Sequence, residues 1–308
     1  MPTGTAASWT AEAMPDQSGR VALVTGANSG LGFHTSLELA RRGARVLMAC
    51  RDAGRAEAAM QRLQTSVPHA QAELLCLDLA SLASIQAAAA EVAGRTASLD
   101  LLVDNAGVMA PPRTATADGF ELQLGTNHLG HFALTGRLLP LLLAAPAPRV
   151  VVLASAAHKF GRMDFDDLMG ERGYRRWRAY AQSKLANLLF ARELDHRAAG
   201  TPLLVAAAHP GYASTQLQVG HGSAVQGAVL RAGNALLAQS DAHGAWPSLY
   251  AATMPDVRGG DYWGPRLAEL RGAPKRVTRT KAARDDVAAR RLWQVSESLT
   301  GVTYALPV

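Results

Sequence analysis

Short apolar runs and longer mixed stretches alternate through the first two thirds of the chain. Val21 to Thr25, Arg45 to Cys50, Glu73 to Leu77, Asp100 to Val103, Arg149 to Ala154 and Leu203 to Ala208 are bounded by turn residues. Each is too short for a helix, so the pattern predicts a strand at every one of them. Their apolar positions do not strictly alternate, as expected of strands buried on both faces. Between them, the stretches from the first glycine turn to about Arg42, Asp52 to Ser66, Ser81 to Arg95, Asn127 to Ala144 and Ala179 to Ala199 have helical length. Beyond His209 the regularity fades, with glycines in Gly220-His221-Gly222 and Arg258-Gly259-Gly260. A helix from about Asp241 to Ala252, a short strand near Tyr262 and a helix from about Lys281 to Leu299 are expected there. Strands alternating with helices predict an α/β chain: a single-domain, Rossmann-type, doubly wound parallel sheet of about seven strands with helices on both faces. That domain is expected to span residues 20–308.

Composition narrows the class. Residues 1–19 mix Thr, Ala, Ser, Pro and Asp without a basic stretch leading into an apolar core, so they are expected to be a flexible lead-in and not a secretory signal. The most apolar stretch, Leu138 to Ala147, carries Pro140 and Pro146 and falls short of the roughly 20 residues that cross a bilayer. No membrane span is expected. The formal charge is +6, but basic residues are scattered apart from Tyr174-Arg175-Arg176-Trp177-Arg178 and the stretch from Lys275 to Arg284. That spread argues against a nucleic-acid surface and suits an anionic small ligand such as a phosphorylated cofactor. The only cysteines, Cys50 and Cys76, end two apolar runs that read as buried strands. A reducing, cytoplasmic setting without disulfides is expected.

Candidate chemistry clusters at predicted strand ends. Thr25-Gly26-Ala27-Asn28-Ser29-Gly30-Leu31-Gly32 follows the first strand and opens a helix. Glycines there let the backbone approach a pyrophosphate, and a helix N-terminus offers amide donors and a positive dipole. After the second strand stands Arg51, whose guanidinium suits a 2′-phosphate; this favours NADP(H) without excluding NAD. The neighbouring Asp52 is more simply a helix N-cap. Asp78, with Leu79 beside it, follows the third strand and could accept a hydrogen bond from an adenine amine. Asn105-Ala106-Gly107 makes a tight turn after the fourth. Ser155 ends the fifth strand, where its hydroxyl could hold a carbonyl oxygen.

Tyr180 and Lys184 are four residues apart, which on a helix sets a phenol beside an ammonium. A tyrosine exchanging protons at neutral pH needs its pKa shifted by roughly 3 units, about 4 kcal/mol, and a nearby cation is the direct means. The same spacing also occurs on solvated helix faces. His128, His131 and His158 have no neighbours that complete a ligand set, so no metal is expected.

Taken together, these residues resemble the short-chain dehydrogenase/reductase family over nearly the whole chain from Arg20 onward. The matches are Thr-Gly-x-x-x-Gly-x-Gly at 25–32 and Asn-Ala-Gly at 105–107. Asn127-His128-Leu129-Gly130-His131-Phe132, Ser155-Ala156-Ala157-His158, His209-Pro210-Gly211 and Leu292-Trp293 leading to Leu299-Thr300-Gly301 look like its retinol-dehydrogenase-like branch. The resemblance implies a catalytic tetrad of Asn127, Ser155, Tyr180 and Lys184, with Tyr180 as acid/base and Ser155 polarising the substrate oxygen. It further implies that Lys184 lowers the Tyr180 pKa and binds the nicotinamide ribose, and that Asn127 holds a water linking Lys184 to solvent. Pro210, Gly211 and Thr215 would contact the nicotinamide. Two departures, Ala154 and Asp104, stand where a serine and an asparagine are frequent, and neither removes a tetrad group.

The expected activity is interconversion of an alcohol and a carbonyl on a hydrophobic substrate with NAD(P)(H). Reduction of an activated C=C bond, or a nucleotide-binding scaffold without turnover, are the alternatives. Phe160 to Trp177 and Tyr212 to Ala238 would hold the substrate or cover another subunit, leaving a homo-oligomer open.

Overall fold

All six apolar runs form strands in a computed structural model of the chain, which describes residues 9–211 and 239–306. They are β1 (Val21–Thr25), β2 (Arg45–Cys50), β3 (Ala72–Cys76), β4 (Leu101–Asp104), β5 (Arg149–Leu153) and β6 (Leu204–Ala208). Two more, β7 (Tyr262–Leu267) and β8 (Arg271–Arg276), complete one sheet in the order β3-β2-β1-β4-β5-β6-β7-β8. Pairing is parallel from β3 through β7, and β8 runs antiparallel to β7. The eighth strand escaped the sequence pattern because Arg-Gly-Ala-Pro-Lys-Arg holds no apolar run. As an edge strand it buries only one residue and tolerates Gly and Pro.

Helices cover both sheet faces because neighbouring residues of each strand are apolar on opposite sides. Leu23, Leu47 and Val150 pack with α3 (Leu82–Arg95), α4 (Gly130–Ala144), α5 (Arg176–Arg197) and α7 (Asp286–Thr300). Val24, Met48 and Val151 pack with α1 (Gly30–Arg41), α2 (Ala53–Ser66) and α6 (Trp246–Thr253). Each such side chain, once buried, contributes about 1.5–3 kcal/mol. Hydrogen bonding of β1 to both β2 and β4 makes this the point where the winding reverses, and in open α/β sheets ligands bind beyond the carboxyl ends of the strands at such a point.

Several expectations change in detail. Helix α4 does not begin at Asn127: a single turn at Leu122–Leu124 runs into a π-helical stretch, Gly125–Leu129, before α4. The carboxylate of Glu121 starts this assembly by accepting from the amides of Gln123 and Leu124 at 2.9 and 2.7 Å. The expected helix from Asp241 divides into Asp241–Gly244 and α6, and Asp285 caps α7 after a short 3-10 turn. Cys76 is exposed, unlike the buried Cys50, because β3 is the other edge of the sheet. The lead-in is not free from residue 9 onward. Trp9 is only 6% exposed, stacks edge-on against Tyr250 and Trp246, and its indole donates to the Met254 sulfur at 3.3 Å. An indole that covers α6 buries too much apolar surface to stay loose. Among the described residues, no helix is long and apolar enough to cross a membrane.

Candidate active site

The turn after β1 is shaped by what it cannot hold. Gly26 has φ of +65°, and a Cβ there would press on Ala106 at 3.1 Å. A Cβ on Gly32 would collide with the Gly26 carbonyl and lie 2.5 Å from Asn105 Nδ2. Gly26 and Gly32 therefore let the start of α1 lie flat against the Asn105-Ala106-Gly107 turn, while Gly30 supplies a φ of +54° at the first helical position. Asn28, Ser29 and Leu31 complete the bend, and the Asn28 carbonyl accepts from Arg62 at 3.1 Å. The Asn105 side chain donates to the Thr25 carbonyl at 2.7 Å, and the Thr25 hydroxyl accepts from the Asn105 and Ala106 amides, both at 2.9 Å. Two of the sequence motifs thus form one structure.

Asn127 sits inside the π-helical turn and is fully buried. Its Oδ1 accepts from the Val108 amide at 2.7 Å, while Nδ2 donates to the Val108 carbonyl at 3.0 Å and to Ser183 Oγ at 2.9 Å. Its own carbonyl accepts from His131 Nδ1 at 3.0 Å. Both Asn127 Nδ2 protons are taken, so the water-holding role implied for Asn127 would have to use the second lone pair of Oδ1 or of its backbone carbonyl. A π-turn inside a helix is a frequent mark of a functional position, and here it fixes Asn127 between β4 and α5.

Tyr180 and Lys184 project from α5 toward Ser155 at the end of β5. Both are buried, as their helix packs on the sheet. The ammonium lies beside the phenol ring, as the helical spacing predicts. Lys184 Nζ lies 5.9 Å from the centre of the Tyr180 ring and donates to the Leu153 carbonyl at 3.3 Å. Burial raises the Tyr180 pKa above the ordinary tyrosine value, and the Ser155 hydroxyl opposes that rise. Burial also lowers the Lys184 pKa to about 8. Gly107 keeps the space beside them open, since a Cβ there would meet Asn127 Oδ1 at 3.1 Å and Lys184 Nζ at 3.4 Å.

The remaining candidates lie along the same sheet edge. Pro210 and Gly211 follow β6, and Gly211 has φ of +70°. Thr215 lies outside the described residues. Arg51 is exposed after β2, while Asp52 caps α2 by accepting from the Arg55 amide at 2.9 Å. Asp78 spends one carboxylate oxygen on the Ala80 amide at 3.0 Å, and Leu79 is buried beneath it, its carbonyl against Gly130. Neither Arg51 nor Asp78 touches the tetrad; they flank it from β2 and β3. Among the described residues, no group of three His, Cys, Asp or Glu is placed to hold a metal ion. His128 belongs to the core, within 2.8 Å of Ser296 Oγ.

His131, which the sequence offers only as a histidine without a metal-ligand set, connects Asn127 to Thr25, whose hydroxyl lies 2.9 Å from its Nε2. Burial lowers its pKa to about 4, so it is neutral at physiological pH. Its place four residues after Asn127 was the one local signal.

A glycine turn after β1, with Tyr180 and Lys184 buried on α5 beside Ser155 at the end of β5, is the arrangement of a short-chain dehydrogenase, and the chain belongs to that family, which residues 20–225 match. Within it, the chain is similar to retinol dehydrogenases. It is 41% identical over 297 residues to mouse retinol dehydrogenase 14, covering 92% of this chain and 86% of that protein. It is 43% identical over 291 residues to human retinol dehydrogenase 13, covering 92% and 85%. A crystal structure of an uncharacterized protein from Mycobacterium paratuberculosis superposes with a TM-score of 0.79 at 44% identity, covering 97% of this chain and 99% of that one. The NADP active-site complex of Pseudomonas aeruginosa RhlG superposes with a TM-score of 0.65 at 25% identity, covering 80% and 94%.

Proposed function

We propose that this protein is an NADP(H)-preferring oxidoreductase that interconverts an alcohol and a carbonyl on a hydrophobic substrate, with Tyr180 as general acid/base. The observation that carries it is the convergence of the buried Tyr180 and Lys184 on the half-buried Ser155 at the end of β5. The donor set fits a nicotinamide dinucleotide. Gly26 and Gly32 leave a floor without side chains for a pyrophosphate, α1 turns its N-terminal amides toward it, and Arg51 offers an exposed guanidinium for a 2′-phosphate. When bound, the nicotinamide supplies or accepts the hydride at the substrate carbon.

The chain's own residues handle the oxygen. In reduction, Tyr180 Oη gives its proton to the developing alkoxide while Ser155 Oγ donates a hydrogen bond to the same oxygen; oxidation is the reverse. Lys184, held at the Leu153 carbonyl, keeps a cation beneath the ring, and with a pKa of about 8 it can return a proton near neutral pH. Asn127 holds the 107–108 backbone against α5, so the tetrad keeps its spacing.

An apolar substrate is supported by the surface around the mouth. Trp177 lies one turn before Tyr180 with its ring 6.3 Å away and is 59% exposed, and Phe160 is 87% exposed at the end of the turn that Ser155 begins. Similarity to proteins named retinol dehydrogenases points the same way. The test is reduced-nicotinamide absorbance with retinol and other apolar alcohols, aldehydes and ketones, using NADP(H) and NAD(H). Tyr180→Phe is expected to lose about 10²–10⁴-fold in turnover while still binding the dinucleotide. Wild-type protein that binds no nicotinamide, or a Tyr180→Phe variant with full turnover, would sink the assignment.

A further inference from the structure

The tip of the β7–β8 hairpin carries two residues in a costly conformation. Leu270 donates its amide to the Leu267 carbonyl at 2.9 Å, and the two residues between, Ala268 and Glu269, have φ of +51° and +59°. Turns with both central residues at positive φ are normally built from Asn and Gly, so an Ala-Glu pair stores strain. Glu269 is also placed to touch two segments of the active site. Its Oε2 accepts from Lys159 Nζ at 2.8 Å, four residues after Ser155, and lies 3.6 Å from His209 Nε2, just before Pro210-Gly211.

The base of the hairpin repeats this pattern. The Tyr262 ring stands 5.6 Å from the His158 ring and 5.2 Å from the His209 ring. Each imidazole holds one site segment: His158 Nδ1 donates to the Ser155 carbonyl at 2.7 Å, and His209 Nδ1 accepts from the Gly211 amide at 3.2 Å. These contacts set opposite tautomers, with the His158 proton on Nδ1 and the His209 proton on Nε2, facing Glu269. The hairpin also grips the 210–211 turn directly. Gly211 packs so closely under the Leu270 carbonyl that a Cβ would collide with it. Gln239, bonded to the Gly272 amide at 3.2 Å, donates to the Pro210 carbonyl.

We infer that the β7–β8 hairpin is a brace that sets the separation between Ser155 and the Pro210-Gly211 turn, with Tyr262 and Glu269 as its positioning residues. The inference rests on the oxidoreductase assignment above, in which Ser155 meets the substrate oxygen and the turn meets the nicotinamide. Strain at Glu269 is then the cost of presenting a carboxylate to both segments at once.

Glu269→Gly separates this role from a structural one, because glycine adopts positive φ freely. The variant is expected to unfold at the same temperature as the parent or higher, yet to lose about tenfold in kcat as the site loosens. Tyr262→Leu removes the ring that stands against both imidazoles, and a similar loss is expected. A second readout needs no turnover. Histidine ring 15N spectra of the unliganded protein at neutral pH should show His158 protonated at Nδ1 and His209 at Nε2. Glu269→Gly should shift the His209 signals, and Tyr262→Leu those of both rings. Wild-type kcat in both variants, or unmoved ring signals, would overturn the brace. Nicotinamide binding by the wild type tests the underlying assignment separately.

Discussion

The Thr25 hydroxyl donates to His131 Nε2 at 2.9 Å while accepting the amides of Asn105 and Ala106. The direction follows from the other ring nitrogen, which faces the Asn127 carbonyl and must carry the proton. One buried hydroxyl thereby joins the end of β1, the turn after β4 and the helical assembly that carries Asn127. Thr25→Val removes only the oxygen and leaves the Ala106 amide and a ring nitrogen without a partner, while the Asn105 amide keeps only the Val103 carbonyl at 2.9 Å. Urea denaturation should show a loss of about 1–3 kcal/mol or more, while Thr25→Ser stays close to the parent. A Thr25→Val protein as stable as the parent would show that the junction is not a stabilising one.

Glycine 32 supports a sharper expectation. An alanine there would meet the Gly26 carbonyl and Asn105 Nδ2 inside van der Waals contact, so the turn must open. Overpacking of this kind costs about 1–3 kcal/mol. Because the displaced atoms form the proposed pyrophosphate floor, fluorescence titration should find nicotinamide affinity reduced at least tenfold, about 1.4 kcal/mol. Undiminished affinity would move the dinucleotide away from this turn.

Asp104 yields a pH dependence. Burial raises its carboxyl pKa to about 8, with only the Thr135 hydroxyl, 3.0 Å from Oδ2, favouring the charge. The folded chain therefore holds Asp104 protonated where the unfolded chain, near 3.8, is ionised. The stability this group contributes is full below pH 4, declines as the pH rises toward 8, and is flat above it. Asp104→Asn should leave the melting temperature unchanged near pH 4 and raise it at pH 7 to 8, by an amount equivalent to about 2 kcal/mol or more. Equal shifts at both pH values would place the charge elsewhere.

Arg51 is the proposed reader of a 2′-phosphate. Replacing a guanidinium by a carboxylate exchanges attraction for repulsion, and a charge-assisted contact contributes about 1.5–3 kcal/mol. Arg51→Asp should lower the ratio of kcat/KM for NADP(H) over NAD(H) at least tenfold, with kcat little changed. An unaltered ratio would leave cofactor choice to other residues.

Strands β1 to β6 were legible because each is a short run of apolar residues, and burial on both sheet faces demands that composition whatever the partners are. The glycine spacing at 26, 30 and 32 was legible because φ and close approach act on the local backbone. Edge positions were less visible: β8 and the exposed Cys76 depend on where the sheet stops, which no local period encodes. Trp9 looked like part of a loose lead-in because the surface it covers, around Tyr250 and Met254, lies at the other end of the chain.

At the site, the sequence by itself determined which groups are available: a phenol and an ammonium one helical turn apart, a serine at a strand end, glycines where a helix begins. Tertiary structure alone decided their relations. It aimed Lys184 at the Leu153 carbonyl, raised the Tyr180 pKa by burial, seated Asn127 in a π-turn and tied His131 to Thr25 across 106 residues. Helical spacing and backbone strain act within a few residues, so a sequence displays them. Hydrogen-bond partners and dielectric surroundings come from segments that meet only when the sheet is assembled.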